Sequence, residues 1–279
     1  MSQVPKPSVE NKRSSFGYLL RHWRDRRGLS QLDLAVISNV SQRHISFLES
    51  GRANPSQDMI LQLATVLDIP LREQNVMLTA AGFAPIYSQS DLCDPTLEPI
   101  CKALDFILHK QEPYPAVVVD RYWNLLQTNN AATHLMNLLI DPQAQKIQFE
   151  NPVNLMRLMF HPNGLRPWVA NWQEIAGHLI QRLHREAIVE GQSDKSVALL
   201  NELLSYPDVP RSWDGLNREM WHTPLLTVKF VKGEFSFNFF STIATLGTPH
   251  DITLQELRVE CLFPVDDVTE QNMRRLKNG

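Results

Sequence analysis

Two short helical patterns separated only by Asn39 and Val40 place the strongest constraint on how this chain folds. Ser30 precedes the first pattern and Asp33 lies three positions later, which is the spacing of a capping box. Ser41 precedes the second pattern, and serine is a preferred N-cap residue because its side-chain oxygen accepts a backbone N–H. The sequence therefore predicts two helices that meet at a tight turn, as in a helix-turn-helix.

The second of these helices concentrates its polar residues in its first turn. Gln42, Arg43 and His44 follow the cap directly, whereas Ile45 and Leu48 form an apolar back. The major groove of DNA admits one helix, and there arginine can fork onto guanine and glutamine onto adenine. These residues alone leave a second interpretation open, in which the two helices only pack together and the polar face is solvated.

Positive charge is concentrated in the same part of the chain. Residues 12–52 carry eight Lys/Arg against three Asp/Glu, although the whole chain has a net charge of −3. A basic module on an acidic body indicates that the N-terminal part meets a polyanion. A chance fluctuation in charge is the alternative explanation.

The chain divides into two predicted domains. We expect a disordered lead-in over residues 1–13, five short helices over 14–82 and a proline-spaced linker over 83–95. Helical patterns and strand-like alternation then share residues 96–266, and residues 267–279 are predicted as a C-terminal tail. The predicted fold class is an all-α five-helix domain followed by an α+β domain with an antiparallel sheet.

The C-terminal strands predict a sheet with one apolar face. A hairpin that turns at Lys232-Gly233 would pair Phe230 with Phe235. Alternation along the last strand places Cys261 inward and Glu260 outward. The face of the hairpin that points to the core is predicted to carry three aromatic side chains, Phe235, Phe237 and Phe239.

No catalytic or metal-binding pattern stands out, so we expect no enzyme, no metal and no cofactor. The nine histidines include no HxxxH pair, the three cysteines form no CxxC, and no glycine-rich phosphate loop is present. The N-terminus lacks the apolar core of a secretory signal, and no run of 18 apolar residues could span a membrane. We therefore expect a cytoplasmic protein with reduced cysteines and no membrane partner.

The stretch LSQLDLAVISNVSQRHISFLESGRANPS resembles the helix-turn-helix of XRE/lambda-repressor-like regulators, whose pattern is SQxxLA…VSxxxISxLExGxxxP. The resemblance implies sequence-specific DNA binding and makes Arg24 the partner of Glu49. It assigns Gln31 and Arg52 to phosphate, and leaves open whether Phe47 touches a thymine methyl or packs elsewhere. The DNA-binding positions that it implies are Gln31, Ser41, Gln42, Arg43, His44, Ser46, Phe47 and Arg52.

Four later segments look like the MmyB-like regulators, in which a PAS-like sensor domain follows an XRE-type helix-turn-helix. They are LDIPLREQNVMLTAAGFAPIY, EPYPAVVVDRYWNLLQTNNAA, NLMRLMFHPNGLRPWVANW and FSTIATLGTPHDITLQELRVECLFP. This resemblance implies a transcription factor that senses a small molecule, and relatives are thought to take fatty-acid-like ligands.

The second domain is rich in methionine and large aromatic residues, which can line a ligand cavity between helices and a sheet. An ordinary packed core is the alternative for any one of them. The predicted ligand-binding residues are Trp123, Met136, Met159, Trp168, Trp172, Phe235, Phe237 and Phe239.

These patterns together predict a transcriptional regulator that binds an inverted-repeat operator in double-stranded DNA as a homodimer. Its second domain would sense a small apolar or fatty-acid-like effector. The alternative is a helix-turn-helix regulator whose second domain serves only dimerisation or protein docking, without a small-molecule ligand.

Overall fold

The computed structural model describes residues 15–140, 152–189, 194–209 and 225–278. The chain forms two compact units, which we call the helical unit and the sheet unit. The helical unit comprises residues 1–91 and 247–255, and the sheet unit comprises residues 92–246 and 256–279. The predicted lead-in over residues 1–13 lies outside the described residues.

Five short helices build the helical unit, as predicted. Serine caps the first four, with the side chains of Ser15, Ser30, Ser41 and Ser56 each accepting a backbone N–H three positions later. Asn39 ends the second helix in the left-handed conformation with φ of 53°, which makes the tight turn to the third helix. The helices are α1 (Phe16–Arg26), α2 (Gln31–Ser38), α3 (Gln42–Glu49), α4 (Gln57–Val66) and α5 (Leu71–Ala80).

A close approach between α1 and the end of α3 depends on Gly17. A Cβ atom at this position would lie 2.5 Å from the carbonyl oxygen of Leu48 and 2.7 Å from that of Glu49. Contacts this short with backbone atoms are not found in real structures, so a larger residue would force the helices apart. The missing side chain thus lets α1 support the back of α3.

The sheet unit contains an antiparallel sheet with helices, as predicted. Its strands in the described residues are β1 (Ala116–Val119), β2 (Leu125–Thr128), β3 (Thr227–Lys232), β4 (Phe235–Ala244) and β5 (Arg258–Pro264). They form one five-stranded sheet in the order β2-β1-β5-β4-β3, and every neighbouring pair is antiparallel.

Seven further helices follow the first five in the described residues. They are α6 (Glu98–Lys110), α7 (Asn130–Leu139), α8 (Leu155–Phe160), α9 (Trp172–Val189), α10 (Asp194–Ser205), α11 (Ile252–Glu256) and α12 (Asp267–Asn278). Two short 3-10 turns cover Pro95–Leu97 and Arg166–Trp168.

The hairpin turns one residue later than predicted. Lys232 pairs with Phe235 and Phe230 pairs with Phe237, so Gly233 and Glu234 form the loop. Gly233 has a φ of 59°, a conformation that glycine adopts without strain. The predicted pairing of Phe230 with Phe235 is therefore wrong. Because each partner moves by two positions, the predicted grouping of side chains on the two faces of the hairpin is unchanged.

The segment predicted as a C-terminal tail forms the helix α12. The Asp266 carboxylate accepts hydrogen bonds from the backbone N–H and the hydroxyl of Thr269, each at 2.7 to 2.8 Å, which caps the helix. Met273 is 1% exposed, and the Asn272 amide donates to the carbonyl oxygen of Ser236 in β4. Capping and packing against the sheet thus order a segment whose sequence is mostly polar.

The predicted linker over residues 83–95 is also partly packed. The side-chain oxygen of Asn75 in α5 accepts hydrogen bonds from the backbone N–H groups of Ile86 and Tyr87, at 3.0 and 3.1 Å. The Tyr87 hydroxyl donates to Gln74 at 2.9 Å. These bonds satisfy backbone groups that a free linker would leave to water, and residues up to Asp91 belong to the helical unit.

Residues 247–255, which follow β4 in the sequence, complete the helical unit. The Asp251 carboxylate accepts hydrogen bonds from the backbone N–H and the hydroxyl of Ser90, at 3.0 and 2.8 Å. The side-chain oxygen of Gln255 accepts from the backbone N–H of Leu71 at 2.8 Å. Since Pro70 at the cap of α5 provides no side-chain hydrogen bond, Gln255 satisfies one of the free N–H groups of that helix.

A buried ion pair joins α1 to the end of α3. Arg24 and Glu49, the pair that the resemblance implied, meet through two hydrogen bonds of 2.6 and 3.1 Å. Their side chains are 8% and 1% exposed. The amide of Gln31 in α2 also donates to Glu49, at 2.8 Å. One carboxylate therefore collects bonds from α1 and α2 at the end of α3.

The surroundings of Glu49 lower the pKa of its carboxyl below the ordinary value of 4.5. Burial acts to raise this pKa, but the hydrogen bonds from Arg24 and Gln31, together with the charges of Arg24 and Arg21, outweigh it. The hydrogen bond with Glu49 is in turn the main reason why the pKa of Arg24 is raised. A carboxyl with a depressed pKa stabilises the fold above its unfolded pKa, and this stabilisation is lost as the pH falls through the folded pKa.

We expect Glu49→Gln to destabilise the helical unit by about 3–5 kcal/mol, because it removes the buried counter-ion of Arg24 and leaves that residue only the exposed carboxylate of Asp25. The variant should also lose less stability than wild type on acidification below about pH 4.5, since the titrating group is gone. Hydrogen exchange of the α1 and α3 amides across that pH range measures both effects.

The matched control is Asp58→Asn, which removes an exposed carboxylate in the first turn of α4. Its effect on exchange should be small. Equal effects of the two substitutions would show that the ion pair does not hold α1 to α3.

Candidate nucleic-acid interface and ligand cavity

The helix α3 buries its back and exposes its first turn. Ile45 and Leu48 are 0% and 1% exposed in the core of the helical unit, whereas Ser41, Gln42 and Arg43 are exposed. The Ser41 side chain caps the helix through the backbone N–H of His44 at 3.2 Å. The long polar side chains therefore project from a fixed helix end, as contacts to base edges in a groove require.

Arg43 and Phe47 lie one above the other on α3. The guanidinium carbon of Arg43 is 5.3 Å from the centre of the Phe47 ring, which is within the range of a cation–π contact. Phe47 is half-buried, as are His44 and Ser46. Phe47 thus supports the side chain of Arg43 and limits the directions in which the guanidinium can point.

The two predicted phosphate contacts differ in their surroundings. Arg52 is exposed just beyond α3, so its guanidinium is accessible from solvent. Gln31 is half-buried and already donates a hydrogen bond from its amide to Glu49. Only the second hydrogen of the Gln31 amide remains for another acceptor, so this residue positions α2 on Glu49 whether or not it meets a phosphate.

A cavity of about 140 Å³ lies between the sheet and the helices of the sheet unit. Residues of α7, α8 and α9 face residues of β1, β3, β4 and β5 across it. The described residues of its walls are almost entirely apolar and include no Lys, Arg or His. They are Pro115, Ala116, Val117, Ala132, Leu135, Met136, Leu139, Leu155, Met159, Leu165, Ile175, Leu179, Leu226, Val228, Phe230, Phe239, Ser241, Glu260 and Leu262.

Three of the predicted ligand-binding residues, Met136, Met159 and Phe239, line this cavity. Phe235 and Phe237 do not. Phe237 is completely buried and its ring is stacked between those of Phe235 and Phe239, at centroid distances of 6.1 and 6.0 Å. The predicted face of the hairpin is correct, but of these three phenylalanines only Phe239 lines the cavity.

The three predicted tryptophans also lie outside the cavity walls. Trp123 is 1% exposed in a neighbouring core cluster, and its indole N–H donates to Glu186 at 3.0 Å. The ring of Trp172 packs edge-on against Phe160 at 5.1 Å. Trp168 lies under the ammonium group of Lys232, 4.4 Å from the ring centre. Each of these rings has packing or polar partners of its own, so the structure gives it a role in the core.

Glu260 and Ser241 are the polar residues of the cavity that sequence reasoning missed. Glu260 lies on β5 and Ser241 on the neighbouring strand β4, where Ser241 pairs with Leu262, two positions from Glu260 on the same face of the sheet. Burial raises the pKa of Glu260, and this effect exceeds the opposing effects of Arg182, of Ser241 and of Arg258. Ser241 is exposed, so the polar pair lies at the end of the cavity that solvent reaches.

The outward orientation predicted for Glu260 is wrong because both faces of β5 are covered. Val259 and Cys261 are 6% and 9% exposed on one face, while Glu260 and Leu262 line the cavity on the other. Alternation shows which residues share a face, but it does not show that the more polar face meets water. The available signal was Leu262, an apolar residue two positions after Glu260.

The described residues contain no group of three or more His, Cys, Asp or Glu placed to hold a metal ion. Within the same parts of the chain, no helix has both the length and the apolar character that crossing a membrane requires.

Comparison with known proteins gives a match for each unit. A helix-turn-helix family model matches residues 20–74, and the model of the MmyB-like transcription regulator ligand binding domain matches residues 100–276. A solved structure, the restriction-modification controller protein C.AhdI from Aeromonas hydrophila, is 39% identical. The match covers 24% of this chain and 98% of that protein, with a TM-score of 0.21.

Two curated relatives are similar over shorter stretches. A Methanococcus maripaludis protein whose name describes an HTH-type transcriptional regulatory protein is 30% identical over 120 residues, which are 41% of this chain and 33% of that protein. A Yarrowia lipolytica protein named for multi-protein-binding factor 1 is 35% identical over 75 residues, which are 27% and 47% of the two chains. The match thus spans about a third of the first relative and about half of the second.

The ligand-binding-domain match extends over more than half of the residues and follows a matched helix-turn-helix. The chain belongs to the family of MmyB-like transcription regulators.

Proposed function

We propose that the helical unit binds double-stranded DNA sequence-specifically and that the sheet unit holds a small apolar effector that changes this binding. The observation that carries the proposed DNA binding is the first turn of α3, which is exposed and capped by Ser41. The Arg24–Glu49 pair holds the end of this helix to α1. The excess of Lys/Arg over Asp/Glu within residues 12–52 supports contact with a polyanion.

Within this surface we assign two kinds of contact. Gln42 and Arg43 are exposed at the start of α3 and read base edges, with His44, Ser46 and Phe47 beside them. Contacts to phosphate position the protein without reading sequence, and we assign these to the groups around the helix ends, Ser41, Gln31 and Arg52.

Arg43→Ala should weaken operator binding by about 1–3 kcal/mol and relax base preference at one position in each half-site, because a forked donor is lost from the groove. Arg52→Ala is the matched control. It should weaken all sequences similarly and reduce the salt slope by about one unit. Fluorescence anisotropy titrations at several salt concentrations compare the two. If the Arg43→Ala protein binds every sequence as wild type does, the assignment of α3 as the helix that reads bases is wrong.

We also propose that the protein acts as a homodimer on an inverted repeat. One helix-turn-helix buries little surface, so specific affinity requires two modules, with half-sites separated by roughly 34–36 Å, one turn of DNA. Light scattering with and without operator DNA should give two copies per complex. A monomer at micromolar concentration in both samples would contradict this.

For the sheet unit we propose a PAS-like sensor role. The cavity between sheet and helices supports it, since apolar walls with a few polar groups are typical of small-molecule sites. An apolar or fatty-acid-like effector would contact Met136, Met159 and Phe239 there. A ligand alters DNA binding only if its affinity differs between the conformation that binds DNA and the one that does not.

We place the protein in the cytoplasm, where its free cysteines stay reduced.

Ala132→Leu should abolish the effector response without unfolding the sheet unit. Ala132 lines the cavity, and the larger side chain would occupy part of its 140 Å³. Ala103→Leu, which adds the same group to an exposed position on α6, should leave the response unchanged. Thermal-shift screens of apolar compounds, together with mass spectrometry of denatured protein for a retained small molecule, provide the readout. With no stabilising compound and no retained molecule, dimerisation or protein docking replaces sensing as the role of this unit.

A further inference from the structure

The cavity has a polar end, and its chemistry narrows the class of effector. Among the described wall residues, Glu260 carries the only ionisable side chain and Ser241 the only hydroxyl. The two lie on neighbouring strands and on the same face of the sheet, since Ser241 pairs with Leu262, two positions from Glu260. A preference for one head group at this end presupposes the proposed binding of an effector in the cavity.

The positive charges near Glu260 already have another partner. Arg182 lies 3.0 Å from one carboxylate oxygen of Glu186, and Arg258 lies 3.0 Å from the other. Both guanidinium groups also lie over the ring of Trp123, at 4.4 and 5.2 Å from its centre. Glu186 thus pairs with both cations, and neither of them is among the residues that line the cavity.

We propose that the cavity takes a compact apolar molecule ending in a neutral hydroxyl group, which hydrogen-bonds to Glu260 and Ser241, and that it discriminates against carboxylates. A carboxyl side chain and a serine hydroxyl can together donate to and accept from an alcohol. The apolar remainder of the molecule would lie against the methionine and leucine side chains of α7 and α8.

A carboxylate head group fits this end of the cavity poorly. A bound carboxylate and Glu260 cannot both ionise, so one negative charge would remain shared between them at this end of the cavity. No Lys, Arg or His among the described wall residues offsets this charge. An ammonium group would require an ionised Glu260, whereas burial favours the neutral form of this side chain by raising its pKa.

The volume of the cavity limits the size of the ligand. An engineered apolar cavity of about 150 Å³ in another protein binds benzene. The cavity here measures about 140 Å³, so it accommodates a molecule of similar bulk, with roughly six to eight non-hydrogen atoms. A short-chain or single-ring alcohol meets this limit.

Calorimetric titration of the full chain at pH 7 with 1-hexanol, hexanoate and hexylamine tests the proposal, since the three probes differ only in the head group. We expect 1-hexanol to bind at least tenfold more tightly than either charged probe. Glu260→Gln preserves a neutral hydrogen-bonding group and should change the affinity for 1-hexanol by less than about threefold. Glu260→Leu should weaken it about tenfold, a difference of about 1.4 kcal/mol.

Hexanoate that binds as tightly as 1-hexanol would overturn this inference while leaving the apolar effector in place. Tightest binding by hexylamine, lost in Glu260→Gln, would overturn it in favour of an ionised anchor. If none of the three binds and Ala132→Leu has no effect on any response, the proposed sensing function itself fails. Should Glu260→Leu not fold, Ser241→Ala provides the second variant, with a loss of several-fold in 1-hexanol affinity expected and no loss contradicting the assignment.

Discussion

The buried pair of Arg24 and Glu49 is the interaction on which the proposed DNA-binding surface, the first turn of α3, depends. A buried ion pair contributes little net stability compared with apolar residues of the same shape, because both charges lose their hydration. Its contribution here is geometric, since one carboxylate fixes α1 and α2 to the end of α3. Gly17 permits the required approach of α1, and the apolar back of α3 then leaves Arg43 pointing outward. Loss of the pair would leave the polar side chains present but not oriented.

The five helices of the helical unit could be predicted from the sequence because their signals are local. Ser30, Ser41 and the Asn39 turn act within three or four residues of themselves, and helix ends decided in this way can be read directly. The packing of the predicted linker and the helix in the predicted tail were not foreseen, since the groups that order these segments are distant or easily overlooked. Asn75 binds the backbone of Ile86, eleven residues later, and Asp266 caps a helix that has few apolar residues.

The sheet unit shows where sequence periodicity stops being informative. Strand alternation correctly grouped Phe235, Phe237 and Phe239, yet of these three rings only Phe239 lines the cavity, while Phe237 is stacked between the other two. The same alternation wrongly predicted that Glu260 points to solvent, since β5 is covered on both sides and has no solvent-exposed face. Which side chains surround an empty volume depends on the packing of several elements at once. The aromatic excess therefore predicted a cavity better than it predicted its walls.

The return of residues 247–255 to the helical unit affects the order in which the protein can be completed during synthesis. Chains emerge from the ribosome N-terminus first, and N-terminal domains usually fold before the rest is made. Here Asp251 and Gln255 provide hydrogen bonds to Ser90 and Leu71, and they are synthesised only after β4. The unit that carries α3 thus receives its last contacts after most of the residues that line the cavity have been synthesised. The helical unit is completed only when the ribosome has already made most of the sheet unit.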